Sequence, residues 1–361
     1  MLQKPKILVI KIGSNVLTKE TGQPDVERMT SLVAQIALLK SDGIKVLLVS
    51  SGAVAFGRGE ISLPEKIDPI LKKQIWASSG QIELINTYKE LFKKHGTSIS
   101  QILVTKEDFR DRKHYLNMRN CLLGLIAQGI VPVINENDTV AITELMFTDN
   151  DELASLTASM VNADSLILLT NVDGIYDGHP SESSSKLIPV IGNKLPELDN
   201  FISPIKSAFG RGGMLTKTTM AKKAAELGIQ VWIANGKKEN ILIDLLKNQA
   251  PNTYFEPNPA KHSTKKWLAH GDQYFKGEVV INEGAKNVLV SNKISSLLPI
   301  GIISVKGDFS KGDIIRITDE NGAKIGLGKA EYPSPLVHEK IGLKNQKPFI
   351  HYDYLYLFQN A

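Results

Sequence analysis

At 361 residues with 42% hydrophobic side chains, the chain is long enough for one large domain plus a small one, each with an ordinary core. Lys and Arg number 43 against 38 Asp and Glu, a formal charge of +5, too mild over this length to argue for nucleic acid or a membrane surface. The single cysteine, Cys121, excludes an intrachain disulfide and a cysteine-based zinc site and points to a reducing cytoplasm.

The opening MLQKPKILVIKIGSNVL joins a basic lead to an apolar run, but Lys11 and Gly13 interrupt it and no small-residue cleavage site follows. It reads as a first strand rather than a leader. Nowhere do about 18 apolar residues run together, the minimum for a spanning helix. KILVIKI, VERMTSLVAQIALLKSDG and IKVLLVSSG alternate strand-length apolar runs with a helical pattern, which implies a parallel sheet covered on both faces. The rhythm continues through SISQILVT, a helix around 114–128, GIVPVIN, a helix around 150–162, and ADSLILLT. TKTTMAKKAAELG then predicts a helix stopped by Gly228, and IQVWIANG a strand. The expected architecture over 1–250 is an α/β three-layer sandwich with a mainly parallel sheet. Pro251, Pro257 and Pro259 mark 251–272 as a linker. Beyond it GEVVIN, NVLV, GIISVKGDFSKGDIIRIT, AKIGLGKAEYPS and HYDYLYLF are short, β-branched and punctuated by glycine, predicting a small β-barrel over 273–361.

Open α/β sheets bind ligands beyond the carboxyl ends of their strands, and four such loops carry unusual residues. In IKIGSN, Lys11 sits inside an apolar strand, a costly place unless its ammonium meets an anion or snorkels to water. VLLVSSGAVAFGRG ends a strand in Ser50-Ser51-Gly52, offering hydroxyls and free N–H groups to an anion, or simply an N-cap to the next helix. The third, INENDTVAITELMFTDNDELAS, holds Asn135, Asn137 and Asp138 directly after a strand and Asp149-Asn150-Asp151 before a helix starting near Glu152. Helix capping uses some of these acids. The rest would repel a phosphate, so they are expected to hold an ammonium, position lysines or reach a phosphate-bound Mg²⁺. The fourth, FGRGGMLTK, brings Gly210, Gly212 and Gly213 before Thr216 and Lys217, a flexible turn or a backbone cradle for an anion. It is not the Walker pattern, and no GxGxxG follows a strand.

Taken in order, IKIGSNVLT, LLVSSGAVAFG, INENDTV, FTDNDELAS, LLTNVDGIYD and GRGGMLTK resemble the motif series of the amino acid kinase family. SVKGDFSKGDIIRI and IGLGKAEYPS resemble a PUA domain. The likeness covers nearly the whole chain. It implies ATP-dependent phosphorylation of the γ-carboxylate of L-glutamate, the first step of proline biosynthesis, with Mg²⁺ held mainly by the ATP phosphates rather than by protein ligands. Residue by residue, it implies that Lys11 and Lys217 flank the migrating phosphoryl group and that Asp151 orients them. Ser51, Gly52, Asn135, Asp138 and Asn150 would hold the acceptor, with Asn137 nearby. Gly13, Thr170, Asn171, Arg211, Gly212, Gly213, Met214, Leu215 and Thr216 would meet the nucleotide together with both lysines. Asn171 and Arg211 depart from a pattern in which Asp and Thr are usual, and Asn15 replaces a more usual Ser, which puts the nucleotide contacts in question.

The resemblance further implies a homodimer or homotetramer, inhibition by proline and no membrane partner. Family rivals are kinases of acetylated glutamate, aspartate or a nucleoside monophosphate; the acetylated substrate would leave Asp138 without an ammonium. From another class, the chain could be an RNA-binding protein that keeps the kinase fold as scaffold, against which stands the retention of both lysines. Residues 273–361 hold eleven Lys/Arg and nine Asp/Glu, a weak excess for an RNA binder, so a structural or regulatory role is the expectation there.

Overall fold

The continuous apolar runs become strands β1 (Ile7–Ile12), β2 (Lys45–Ser50), β3 (Ile99–Val104), β4 (Val131–Glu136), β5 (Ser165–Thr170), β6 (Val190–Ile191), β7 (Gln230–Asn235) and β8 (Thr253–Phe255). They form one sheet in the order β3-β4-β2-β1-β5-β7-β8-β6. Every pairing is parallel except β7 with β8. This computed structural model describes residues 4–140, 147, 149–182, 184–192, 214–258, 275–291 and 295–358. It divides into two units, Met1–Phe109 with His114–Ala260 and Arg110–Lys113 with Lys261–Ala361.

Between the strands of the first unit run α1 (Ser14–Leu17), α2 (Val26–Ser41), α3 (Ala53–Glu60), α4 (Pro69–Lys93), α5 (Lys106–Arg110), α6 (Arg112–Ala127), α7 (Asn150–Met160), α8 (Met214–Glu226) and α9 (Ile241–Leu246). Alternation along β1 sends Leu8, Ile10 and Ile12 into a core with Met29, Leu32 and Ile36 of α2, Leu84 and Tyr88 of α4, and Leu242 and Leu245 of α9. Val9 and Lys11 therefore face the opposite side of the sheet. There α7 is buried at every position from Asp151 to Met160, so a helix that is apolar on only part of its surface must place its polar residues against partners.

The 25-residue α4 starts at Pro69, with the Asp68 carboxylate accepting from the N–H groups of Ile70 and Leu71, the arrangement that Asp followed by Pro at the first helical position favours. It crosses α3 at backbone contact. A Cβ on Gly57 would lie 1.9 Å from the Trp76 carbonyl oxygen, and one on Gly80 would lie 1.9 Å from the Ala53 carbonyl oxygen. Two bare α-carbons thus lock α3, which springs from the Ser51-Gly52 turn, to the helix that runs past the end of β4.

The small barrel expected at the C-terminus takes the form of a five-stranded mixed sheet in the order β10-β9-β11-β12-β13. Its strands are β9 (Gly277–Ile281), β10 (Ile302–Lys306), β11 (Ile314–Asp319), β12 (Lys324–Lys329) and β13 (Leu355–Leu357), with helices α10 (Glu283–Val290) and α11 (Ser334–Lys340). NVLV, expected as strand, is the second half of α10. The Asn282 side chain accepts from the Ala285 N–H and starts a helix that buries Leu289, and cap plus one-sided burial outweigh the β-branched composition. HYDYLYLF turns through a 3-10 segment at Tyr352–Tyr354 before β13. Among the described residues no helix is long and apolar enough to cross a membrane.

The α3–α4 crossing makes opposite forecasts for two helical glycines. Gly80→Ala should destabilise by about 3 kcal/mol through overpacking. Gly124→Ala on α6, where a Cβ meets nothing within 4 Å, should stabilise by about 0.5–1 kcal/mol. Urea denaturation of both variants checks this, and equal effects would contradict it.

Candidate active site

Three elements deliver one charged cluster at the carboxyl edge of the sheet. Lys11 comes from β1, Asp151 from the first turn of α7 and Lys217 from the first turn of α8. Lys11 Nζ lies 2.7 Å from Asp151 Oδ1, and Lys217 Nζ donates to Asp151 Oδ2 at 2.5 Å. All three residues are at most 6% exposed. Asp149 caps α7 at Asn150, where the helix expected around 150–162 begins, its Oδ1 accepting from the N–H groups of Asp151 at 2.9 Å and Glu152 at 3.2 Å. Gly13 follows β1, and a Cβ there would lie 3.2 Å from the Leu169 carbonyl oxygen and 3.5 Å from Lys11 Nζ. Its bare backbone leaves room beside the ammonium.

The electrostatics of the cluster are opposed. Burial disfavours the Asp151 carboxylate, but Lys11 and Lys217 override it and hold the group at about 2. Burial, and then Lys11, press the Lys217 ammonium below its usual range, while Asp151 and Asp149 oppose them. Asp149 is pushed up to about 6 by burial and by the Asp151 charge. Two ammonium groups share one firmly ionised carboxylate, and Asp149 adds a second negative charge only above about pH 6.

Asn150, next to Asp151, turns to the other side. Its Nδ2 donates to Ser51 Oγ at 2.9 Å and to Asn135 Oδ1 at 3.0 Å. Asn135 Nδ2 in turn donates to Gln81 Oε1 of α4 at 2.8 Å. Asn150 Oδ1 is buried without a hydrogen-bond partner among the described residues, an acceptor left open. Gly52 has φ +111°, a left-handed turn that glycine makes without strain and that releases α3 behind Ser51. Beyond Asn135 the loop bends back, with Asn137 N–H bonded to the Val104 carbonyl and Asn137 Oδ1 accepting from Thr139 Oγ1. Asp138 does not join the lysine cluster. Its Oδ1 lies 2.8 Å from Lys73 Nζ of α4, and Gln74 Nε2 donates to the Thr139 carbonyl at 3.1 Å. Behind the loop, the Glu136 carboxyl is raised chiefly by burial, although its Oε1 accepts from the Phe147 N–H at 2.7 Å. Lys106 sits 3.3 Å from Glu152.

Thr170 ends β5, its Oγ1 3.4 Å from Asn171 Oδ1. Asp173 on the same turn accepts from Asn235 Nδ2 at 3.1 Å and Lys238 Nζ at 2.7 Å. Met214, Leu215 and Thr216 open α8 ahead of Lys217. Arg211, Gly212 and Gly213 lie outside the described residues. The sequence motifs do not single out Lys73, Gln74, Gln81 or Lys106, and Glu136 enters them only as one of the acids in the stretch after β4. A signal existed for the α4 residues: 73, 74, 77 and 81 fall on one helical stripe, polar at three positions where the helix meets the loop after β4.

A family model described as amino acid kinase family matches residues 6–235, and one described as PUA domain matches 277–348. The chain is 49% identical to the glutamate 5-kinase of Bacteroides thetaiotaomicron over 360 residues, 99% of this chain and 100% of that protein. It is also 49% identical to the glutamate 5-kinase of Chlorobaculum tepidum over 354 residues, 97% of each. Among solved structures it resembles UMP kinase from Ureaplasma parvum, with TM-score 0.51 and 17% identity over 70% of this chain and 98% of that one. Carbamate kinase from Giardia lamblia bound to AMP-PNP gives TM-score 0.51 and 15% identity over 70% and 99%. At these identities the two structures speak for the fold alone.

The Asp149 environment makes a pH forecast. A carboxyl whose folded value is about 6 against 3.8 ordinarily binds its proton more tightly when folded, so its contribution to stability is present at low pH and is lost as pH rises towards 6. Asp149→Asn keeps the capping oxygen and lacks the titration. Its stability relative to the parent should climb between about pH 4 and 6 and then level off. Denaturation midpoints at several pH values test this, and a pH-independent gap would refute it.

Proposed function

This chain belongs to the glutamate 5-kinase branch of the amino acid kinase family, with a C-terminal PUA domain, and on that footing we propose how its residues move the γ-phosphoryl group of ATP onto the γ-carboxylate of L-glutamate. The products are ADP and L-glutamyl 5-phosphate. The nucleophile is a carboxylate, already ionised near neutral pH, so the reaction needs no general base. The obstacle is repulsion between that carboxylate and the phosphates, and positioning with charge stabilisation is the main remedy in phosphoryl transfer.

The observation that carries the reading is the pair of buried ammonium groups held by one carboxylate. Lys11 and Lys217 sit on either side of Asp151, whose two oxygens aim them, and the two ammonium groups suit the equatorial oxygens of a migrating phosphoryl group. Asn150 and Ser51, with Asn135 behind them, hold the acceptor's reacting end, and the open Asn150 Oδ1 is free to accept a bond. Asp138 takes the α-ammonium. Thr170, Asn171 and the opening of α8 meet the nucleotide together with the glycine loop. Mg²⁺ enters this reading on the ATP phosphates, where it neutralises charge; among the described residues no three acidic, His or Cys groups converge to hold a metal. Both Asp151 oxygens are engaged by lysine ammonium groups, which fits a metal held by the phosphates rather than by this carboxylate.

Self-association belongs to the same reading. Its support is apolar surface on the β3 side of the sheet, where Leu103 on that edge strand and Ile82 on α4 are exposed. Inhibition by proline and a cytoplasmic location rest on family membership. For the PUA unit, the near balance of charges favours a structural or regulatory role over RNA binding.

Lys217→Ala should lower turnover by about 10²- to 10³-fold, as loss of an oxyanion donor does, with the circular dichroism spectrum unchanged. Hydroxylamine trapping of the acyl phosphate with ATP and glutamate measures it. A near-normal rate would remove Lys217 from the transfer step.

A further inference from the structure

The Lys73–Asp138 pair is an ion pair of unequal members. The Asp138 side chain is 13% exposed and its partner 42%, so the carboxylate is built into the loop while the ammonium stands at the mouth on a flexible four-carbon stem. A half-exposed surface pair contributes little to stability, and Gln74 already ties the same helix turn to the same loop through the Thr139 carbonyl. Tethering alone does not call for a charge at position 73.

We propose that Lys73 is a specificity-determining residue that receives the α-carboxylate of the amino acid acceptor while Asp138 receives its α-ammonium. This rests on the reading of the loop after β4 as the acceptor site. An α-amino acid carries both charges on one carbon and so presents them as an adjacent pair. Lys73 Nζ and Asp138 Oδ1, 2.8 Å apart, present the complementary pair, and in the free protein each neutralises the other. Binding exchanges one ion pair for two and leaves no charge uncovered.

The surroundings make a cation here necessary. An incoming α-carboxylate faces Asp138, with Glu136 behind it and Glu152 beyond; Asp138 and Glu152 already act to raise the Glu136 carboxyl, and Lys73 acts to lower it. Lys106, the next lysine in this quarter, is buried against Glu152. Without Lys73 an α-carboxylate would meet a wall of like charge. The same α4 stripe holds Asn135 through Gln81, so one helix face grips the loop at its base and meets the acceptor at its far end.

The test compares L-glutamate with its α-amide, which keeps the γ-carboxylate and the ammonium but replaces the α-carboxylate by a neutral carboxamide. The parent should prefer glutamate in kcat/KM by about 10- to 100-fold, the range of a hydrogen bond between charged groups. Lys73→Met should bring that preference to within about threefold by losing activity on glutamate, and Lys73→Arg should restore most of it. A mere tether would lower both acceptors alike and leave the preference intact, which overturns the proposal. Equal use of the two acceptors by the parent overturns it as well, without any variant. Asp138→Asn separates the two levels: an unchanged KM for glutamate in that variant rejects the acceptor-site reading itself, whereas a raised KM beside an unchanged preference in Lys73→Met rejects only the role of Lys73.

Discussion

One carboxylate neutralising two buried ammonium groups is the constraint on which the rest depends. Asp151, Lys11 and Lys217 are all nearly sealed from water, where an unpaired charge costs several kcal/mol and a paired one still costs something. Asp151 reduces the cost for both lysines at once and sits at the positive end of α7, which favours its ionised form. The direct ion pairs set two ammonium groups against one carboxylate. Asp149, the next acid, is pushed up to about 6 by burial and by Asp151, so it is protonated below that pH and adds a second negative charge near the lysines above it. A site relaxed by a third carboxylate would be more stable and less ready for phosphate, a trade seen where stability and function compete.

The two halves of the proposed site are coupled through consecutive residues. Asp151 turns to the lysines and Asn150 to Ser51 and Asn135, so any shift at the start of α7 moves both sets. The acceptor side is pinned from behind by α4, whose Gln81 fixes Asn135 and whose Gly80 lets α3 approach to backbone contact. Since α3 begins at the turn carrying Ser51, the glycine crossing sets the spacing between that turn and the loop after β4. Packing at that crossing thereby fixes the geometry of the proposed acceptor side.

What was legible in the sequence was whatever violates a local rule. Continuous apolar strands announce a parallel sheet because water has no face to wet, and Lys11 stands out because a charge inside such a strand demands a partner. Its partner comes from the order of motifs rather than from periodicity: the likeness to the amino acid kinases sets Asp151 between Lys11 and Lys217, three positions that lie together in the fold and that no periodic pattern links. Lys73 and Gln81 were hidden, with partners 65 and 54 residues away and a surrounding pattern that an exposed amphipathic helix would also show. NVLV reads as strand because a four-residue apolar run has no period of its own, and it is Asn282, five residues upstream, that makes it helical.

The charge layout also accounts for the acidic stretch after β4, which would be a poor neighbour for phosphate if it faced the lysines. Only its far end does, through Asp151 and Asp149; Asp138 is turned to Lys73 of α4 and Glu152 to Lys106, leaving a lysine-lined lobe at β1 and α8 and an Asp138–Lys73 lobe beside α4. Under the proposed reading glutamate carries an anion at the γ-carbon and both an ammonium and a carboxylate at the α-carbon. Reversed, its ammonium would meet Lys11 and Lys217 and its γ-carboxylate would meet Asp138, with Lys73 offsetting only the second of these repulsions. At an effective dielectric of about 20 each such contact at 4 Å amounts to about 4 kcal/mol, enough to align the acceptor before any hydrogen bond forms. The order of charges along the sheet edge, Lys73 included, therefore selects which carboxylate faces the phosphoryl group.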